Sequence, residues 1–290
     1  AKILASEPKG TGLQVGRHLF PARVASGHFA FVGATGSGNT MMQRLLMQSA
    51  LPQIGQGRGV RALVYDAKQD VLSILGGMRL RCPVRILNPL DARSAAWDMA
   101  HDITSPAAAL QVATALIPRS DRDTNPFFTN AARHLLFGVL LYCIRHAGGR
   151  WSFRQVLLIL RDAELLRRVL GHSIETQHLL QYCAHEGTFQ NILSTVLTVT
   201  ASFEIIAAAW DRAGEKLSLR KWMTSEEVLV LGNDEQNRSA IDTINRLLFQ
   251  RLSELMLAEA EVSSGDSRKT WIFLDEVREI GRLEGLPRLL

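Results

Sequence analysis

Eight consecutive residues, Gly33 to Thr40 (GATGSGNT), carry the clearest chemical signal in the sequence. Gly33, Gly36 and Gly38 are spaced by Ala34, Thr35 and Ser37, so successive backbone N–H groups can turn toward an anion. A phosphate-binding P-loop reads G-x-x-x-x-G-K-[ST], and the hydroxyl of Thr40 stands where such a loop contacts Mg²⁺. Position 39 departs from the pattern, with asparagine in place of lysine. The lysine would reach the β- and γ-phosphates and offset charge as the γ-phosphoryl leaves. Asn39 is shorter and neutral and can donate one hydrogen bond but no charge. The expected chemistry is an ATP site that keeps its backbone cradle, binds nucleotide more weakly and hydrolyses it much more slowly. A plain glycine-rich turn accounts for the glycines, but not for their place between an apolar run and a helix that opens on Thr40.

A second signal is Trp271–Glu276, WIFLDE, an apolar run ending in two acids. In P-loop ATPases the first acid holds Mg²⁺, usually through water, and the second polarises the attacking water. Asp275 and Glu276 fit those roles, with Glu276 the candidate catalytic residue and Asp275 and Thr40 the candidate metal contacts. A strand end followed by Asp-Glu is common on its own. Paired in this order with a P-loop it reads as a Walker-type nucleotide site. Asp66-Ala-Lys-Gln-Asp70, after another apolar run, could face phosphate or a neighbouring subunit, or be a solvated turn. The eight histidines show no metal-binding spacing, and His172, His178 and His185 read as surface or interhelix residues. No G-x-S-x-G surrounds Ser37 or Ser194, so no serine hydrolase is encoded. Phe127, Phe128, Trp151 and Trp210 read as core anchors.

These residues need elements to position them. Five short unalternating apolar runs are predicted as strands of a parallel sheet buried on both faces: 28–32, 60–65, 84–87, 228–231 and 271–274. The helical pattern of 40–49 between the first two predicts a βαβ unit. From about 95 to 221 the periodicity is helical throughout, over 107–117, 129–144, 153–160, 163–170, 174–182 and 188–210. The sheet pattern then resumes, with a long helix over 239–261. The expected fold class is α/β, a RecA-like nucleotide-binding domain formed by 1–94 and 222–290 and interrupted by an inserted all-α domain at 95–221.

Composition sets outer limits. With 47% hydrophobic and 21% charged residues the chain is an ordinary globular sequence, which excludes a disordered or low-complexity protein. Cys82, Cys143 and Cys183 have no paired spacing, which excludes a disulfide scaffold or zinc ribbon and predicts buried thiols. The net charge of +5 is uneven. Residues 1–145 hold 16 basic against 8 acidic side chains, and residues 146–290 hold 17 against 20. A basic half rich in arginine suits phosphate contacts and is equally the mark of a solvated face. The longest uncharged apolar stretch, 135–144, is half of a spanning helix, so no transmembrane segment is predicted. No signal-peptide core or initiator Met opens the sequence.

Taken in order, several segments resemble the conjugative coupling proteins of type IV secretion systems, the TraD/TraG/TrwB family. They are GATGSGNT, YDAKQD (near the family's D-P-K-G-E), NPLDARSAAWDM, NPFFTNAARHLLFGVLL and LDEVREIGRLEGLPRLL. The resemblance implies a RecA-like domain with an all-α insertion, in a hexameric, DNA-dependent ATPase motor at the cytoplasmic face of the bacterial inner membrane. It implies partners too: a relaxase-bound single DNA strand or protein effectors, and the components of the secretion channel. By the same resemblance Gly33, Gly36, Gly38 and Thr40 bind phosphate and Mg²⁺, and Asp275 and Glu276 complete the site. Asn39 departs from the family, as does the absence of N-terminal membrane helices, and the chain ends fourteen residues after Glu276. Those departures predict a fragment, a degenerate copy or an engineered variant. A non-catalytic nucleotide-binding or scaffolding module, or another ring-type DNA-pumping ATPase, are the competing readings.

Overall fold

The computed structural model of the chain describes residues 12–21, 24, 27–34, 36–119, 125–262, 268–276, 281, 283 and 285–289. The strands are β1 (Leu13–Val15), β2 (His18–Phe20), β3 (Val60–Tyr65), β4 (Val84–Leu87), β5 (Ala96–Trp97), β6 (Lys216–Leu217), β7 (Val228–Leu231) and β8 (Lys269–Leu274). The helices used below are α1 (Asn39–Ala50), α2 (Val71–Gly77), α3 (Met99–Asp102), α4 (Pro106–Leu116), α5 (Pro126–His146), α6 (Phe153–Arg161), α7 (Ala163–Gly171), α8 (Ile174–Gln177), α9 (Glu186–Thr200), α10 (Glu204–Arg212), α11 (Leu219–Trp222) and α12 (Arg238–Val262). They gather into two compact units. One is Ala1–Asn88, Trp222–Asn233 and Phe249–Leu290; the other is Pro89–Lys221 and Asp234–Leu248.

The first unit is an α/β layer structure around a four-stranded, all-parallel sheet in the order β4-β7-β3-β8. All six residues of β3 and all four of β7 are buried, as expected of strands covered on both faces. Val60, Ala62, Val64, Val228, Val230 and Phe273 face a core shared with Leu46 and Met47 of α1 and Val71 and Leu75 of α2. The β1–β2 hairpin closes that core, with Gln14 N donating to Ser49 Oγ at 2.7 Å. On β3 the buried Arg61 donates to the Met223 carbonyl and to Glu259 near the end of α12, and lies 5.6 Å from the Trp222 ring. Burying a guanidinium is tolerable only because these partners replace its water.

The expected strand at 28–32 is not present. Residues 28–34 carry no regular secondary structure, Phe31 is 36% exposed and Val32 95% exposed. An apolar run becomes a strand only if its backbone finds a partner, and 28–32 pairs with none of the described strands, whose order is β4-β7-β3-β8. The predicted βαβ unit is therefore a loop–helix–strand. The strand read at 271–274 begins two residues earlier, at Lys269.

The second unit is helical. In α5, Ala131, Ala132, Leu135, Leu136, Val139 and Leu140 are fully buried, packing against α4, α6, α7 and α9. A Cβ at Gly138 would fall 2.6 Å from both Leu170 and Leu179, so only glycine permits that approach. Helix starts carry their expected caps: Ser105 before Pro106, and a capping box between Ser152 and Gln155. The run expected over 188–210 is broken by a 3₁₀ turn at Ala201–Phe203, and 174–182 by another at His178–Cys183. Trp151 and Trp210 are buried as expected, whereas Phe127 is 45% exposed. Of the cysteines only Cys143 is fully buried, which pushes its thiol up to about 12; Cys82 and Cys183 are partly buried. Two helical runs, 126–146 and 186–212, are long and apolar enough to cross a membrane by length and composition. Both carry charged residues that shorten their uncharged stretches, and the first is the core helix of this unit.

Asp102 joins the two ends of the helical segment. Its carboxylate is fully buried and accepts from Trp97 Nε1 (2.7 Å), Ser218 Oγ (2.8 Å), Leu219 N (2.7 Å) and Arg220 N (3.1 Å). β5 and β6 form a parallel two-stranded bridge beside it, an element the helical periodicity had hidden. Asp102→Ala would strand three buried donors and the part-buried Arg220 N, and we expect a loss of about 3–5 kcal/mol in urea unfolding. Asp102→Asn, which keeps one acceptor oxygen, should lose less.

Candidate nucleotide-binding site

The glycine loop enters α1 with the geometry an anion cradle needs. Gly36 (φ 82°) and Gly38 (φ 92°) are left-handed, a conformation that side chains resist. At Gly33 a Cβ would meet Ser37 Oγ at 2.3 Å. Within the loop Ser37 N donates to the Ala34 carbonyl (3.0 Å), and Asn39 Nδ2 donates to the Gly33 carbonyl (3.3 Å). Gly38 is the N-cap of α1; no side chain caps the helix and no acid sits in its first turn. The first-turn N–H groups and the positive end of the helix dipole are thus left open to an anion. Thr40 is half-buried, and Thr35 lies outside the described residues.

The acids come from the parallel pairing of β3 and β8. Its register sets Tyr65 beside Leu274, so both chains leave the sheet at the same end and their next residues are Asp66 and Asp275. Asp66 is 3% exposed and accepts from the backbone N of Asp70 and of Val71, both at 3.2 Å, which folds 66–70 back over the strand end. Gln69 pays for that turn with a left-handed φ of 60°. The turn presents Lys68, whose Nζ lies 2.5 Å from Glu276 Oε1 and 3.9 Å from Asp275 Oδ2. Glu276 is itself left-handed (φ 50°). Burial raises the Asp275 carboxyl above the ordinary range, and Lys68 opposes the shift. The hydrogen bond to Glu276 raises the Lys68 ammonium. Burial raises Asp66, against the pull of the backbone N–H groups of Asp70 and Val71.

Arg44 links the two halves. It stands one helical turn after Thr40 on the same face of α1 and forms an ion pair with Asp70. Glycine loop, α1, the 66–70 turn and the Asp275–Glu276 pair are thus connected through side chains. Sequence reasoning left 66–70 undecided and missed Arg44 and Lys68. The available signal was position: Asp66 to Asp70 follow a buried parallel strand, where open α/β sheets collect ligand-binding groups. Among the described residues no three His, Cys, Asp or Glu side chains cluster as a complete metal cage. The donors that could hold a Mg²⁺ ion here are oxygens, the carboxylates of Asp275 and Glu276 and the hydroxyl of Thr40, the type Mg²⁺ takes together with phosphate and water.

Residues 13–290 match the family described as the type IV secretion-system coupling protein DNA-binding domain. The chain belongs to this family. Coupling protein TraD of Escherichia coli (strain K12) is 22% identical over the whole chain, which spans 39% of that relative's length. Among solved structures, plasmid coupling protein TrwB in complex with the non-hydrolysable GTP analogue GDPNP superposes with a TM-score of 0.70 at 19% identity, over 98% of this chain and 65% of that one. TrwB in complex with ADP and Mg²⁺ gives 0.69 at the same identity and coverage. This coupling-protein chain therefore has the TrwB-like α/β P-loop fold with a helical insertion.

If the left-handed backbone at Gly38 is what forms the loop, Gly38→Ala should cost about 1–2 kcal/mol. Gly187→Ala, at a helical glycine with open space around its Cα, should instead gain about 0.5–1 kcal/mol. Thermal unfolding of the two variants checks the opposite signs.

Proposed function

We propose that this chain is the nucleotide-binding part of a coupling-protein ATPase, a DNA translocase of a conjugation or type IV secretion system. The observation that carries the reading is the arrangement just described: an uncapped glycine loop on α1, tied through Arg44–Asp70 to a turn that touches Asp275 and Glu276. In this reading the 33–40 loop (Gly33, Ala34, Thr35, Gly36, Ser37, Gly38, Asn39 and Thr40) holds the phosphates of ATP. Thr40 and Asp275 hold Mg²⁺, and Glu276 orients the attacking water. Bound Mg²⁺ would neutralise phosphate charge and act as a Lewis acid. The nucleotide-binding domain would comprise 1–94 and 222–290, with 95–221 as the all-α insertion. Partners would be a relaxase-bound single DNA strand and components of the secretion channel. The working state would be a homo-hexamer at the cytoplasmic face of the inner membrane.

Asn39 tempers the enzymatic part. Its carboxamide already serves the Gly33 carbonyl and brings no charge to a leaving phosphoryl group. A second reading, a nucleotide-binding module that assembles with active partners, draws on this observation. Steady-state ATPase of the chain compared with Asn39→Lys separates the two. We expect at least a tenfold rise on restoring the lysine; equal rates would remove the role given to position 39. If phosphate neutralisation drives DNA binding, affinity for a single-stranded oligonucleotide should fall steeply, linearly in log–log form, as salt rises. Binding indifferent to salt would oppose the translocase reading.

A further inference from the structure

We propose that Lys68 is the phosphate-facing cation of this site, supplying from the end of β3 the positive charge that the glycine loop lacks at position 39. The inference rests on the nucleotide reading above and deepens it.

Three observations carry it. First, the loop offers backbone dipoles and a neutral Asn39, while the other half of the site offers Asp275 and Glu276. A polyphosphate added to that set would meet two carboxylates without a fixed side-chain cation between them. Second, Lys68 is that cation by position. Its Nζ contacts Glu276 at 2.5 Å and lies 3.9 Å from Asp275, on a turn pinned by the buried Asp66. Third, Lys68 is free to change partners. Its side chain is 42% exposed, and a lysine stem lets the ammonium swing without moving the backbone. Arg44, the other cation on this path, is held by Asp70 and would have to give up that ion pair to take the role.

Without nucleotide, Lys68 acts as internal counter-ion to both acids. Asp275 would be one of the residues that hold Mg²⁺ brought with the phosphates, and the Lys68 ammonium would be repelled by a second cation on that carboxylate. The ammonium is then driven toward the terminal phosphate oxygens, the only other anions added to the site. Lys68 would thus favour a triphosphate over a diphosphate, because the added negative charge lies at the γ position.

The test is equilibrium binding of fluorescent ATP and ADP analogues, with Mg²⁺, to the full chain and its variants. Circular dichroism would confirm that each variant is folded. In the wild-type chain we expect tighter binding of the ATP analogue. Lys68→Ala should weaken the ATP analogue at least tenfold and the ADP analogue much less. Lys68→Arg should keep most of the preference, and Asn39→Lys in the Lys68→Ala background should restore it. If the wild-type chain binds and Lys68→Ala binds each analogue as tightly as the wild type does, the proposal fails while the nucleotide reading stands. If Lys68→Ala weakens both equally and Asn39→Lys restores nothing, Lys68 only shapes the turn and the proposal again fails. A wild-type chain that binds neither analogue overturns the nucleotide reading, and this inference with it.

Discussion

The parallel pairing of β3 with β8 is the constraint on which the rest depends. Every residue of β3 is buried, and its six partners on β8 run from Lys269 to Leu274 without a bulge. Because side chains alternate along a strand, a slip of one residue would exchange the two buried faces of β3 and drive Arg61 out of its pocket toward the apolar core. A slip of two would keep the faces but carry Asp275 about 7 Å along the strand axis, beyond reach of Lys68. Position at the site is therefore set by apolar packing in the sheet, and the charged groups inherit it.

The electrostatics then follow from what is missing. A site with a lysine in its glycine loop has a cation fixed among the phosphates. This one begins with a neutral amide there and an ion pair on the opposite side. The acids are held in a polar but partly desolvated corner, where charge interacts more strongly than in bulk water. The Lys68 ammonium beside them offsets part of their charge.

Much of this was legible in the sequence, for definable reasons. β3, β4, β7 and β8 were readable because strands buried on both faces are continuous apolar runs. α5 and α12 announced themselves through long helical periodicity. The acids after β8 and the glycine loop were readable because their chemistry is contiguous. The 28–32 segment was misread because strand identity depends on a partner, which no local pattern records. Lys68 and Arg44 were missed because their partners lie far along the chain, and Asp102 because a buried carboxylate looks like a surface one until its donors are known. The 3₁₀ breaks near Ala201 and His178 carry neither proline nor glycine within them, so periodicity ran straight through.

The strand order has a further consequence, in time. β3 and β4 are made early and lie near each other in sequence, yet they do not pair; β7 separates them, and β8 completes the other side of β3. Both of those strands are synthesised only after the whole helical segment. A nascent chain therefore carries apolar strands with open edges until the helical segment has been made, and this sheet forms only by contacts of high sequence separation. Folding should be slow in its final step, with exposed edges open to wrong pairing meanwhile. The Asp102 junction lets the helical segment close on itself without waiting for the sheet, so order arrives first in the inserted part and last where the candidate chemistry lies.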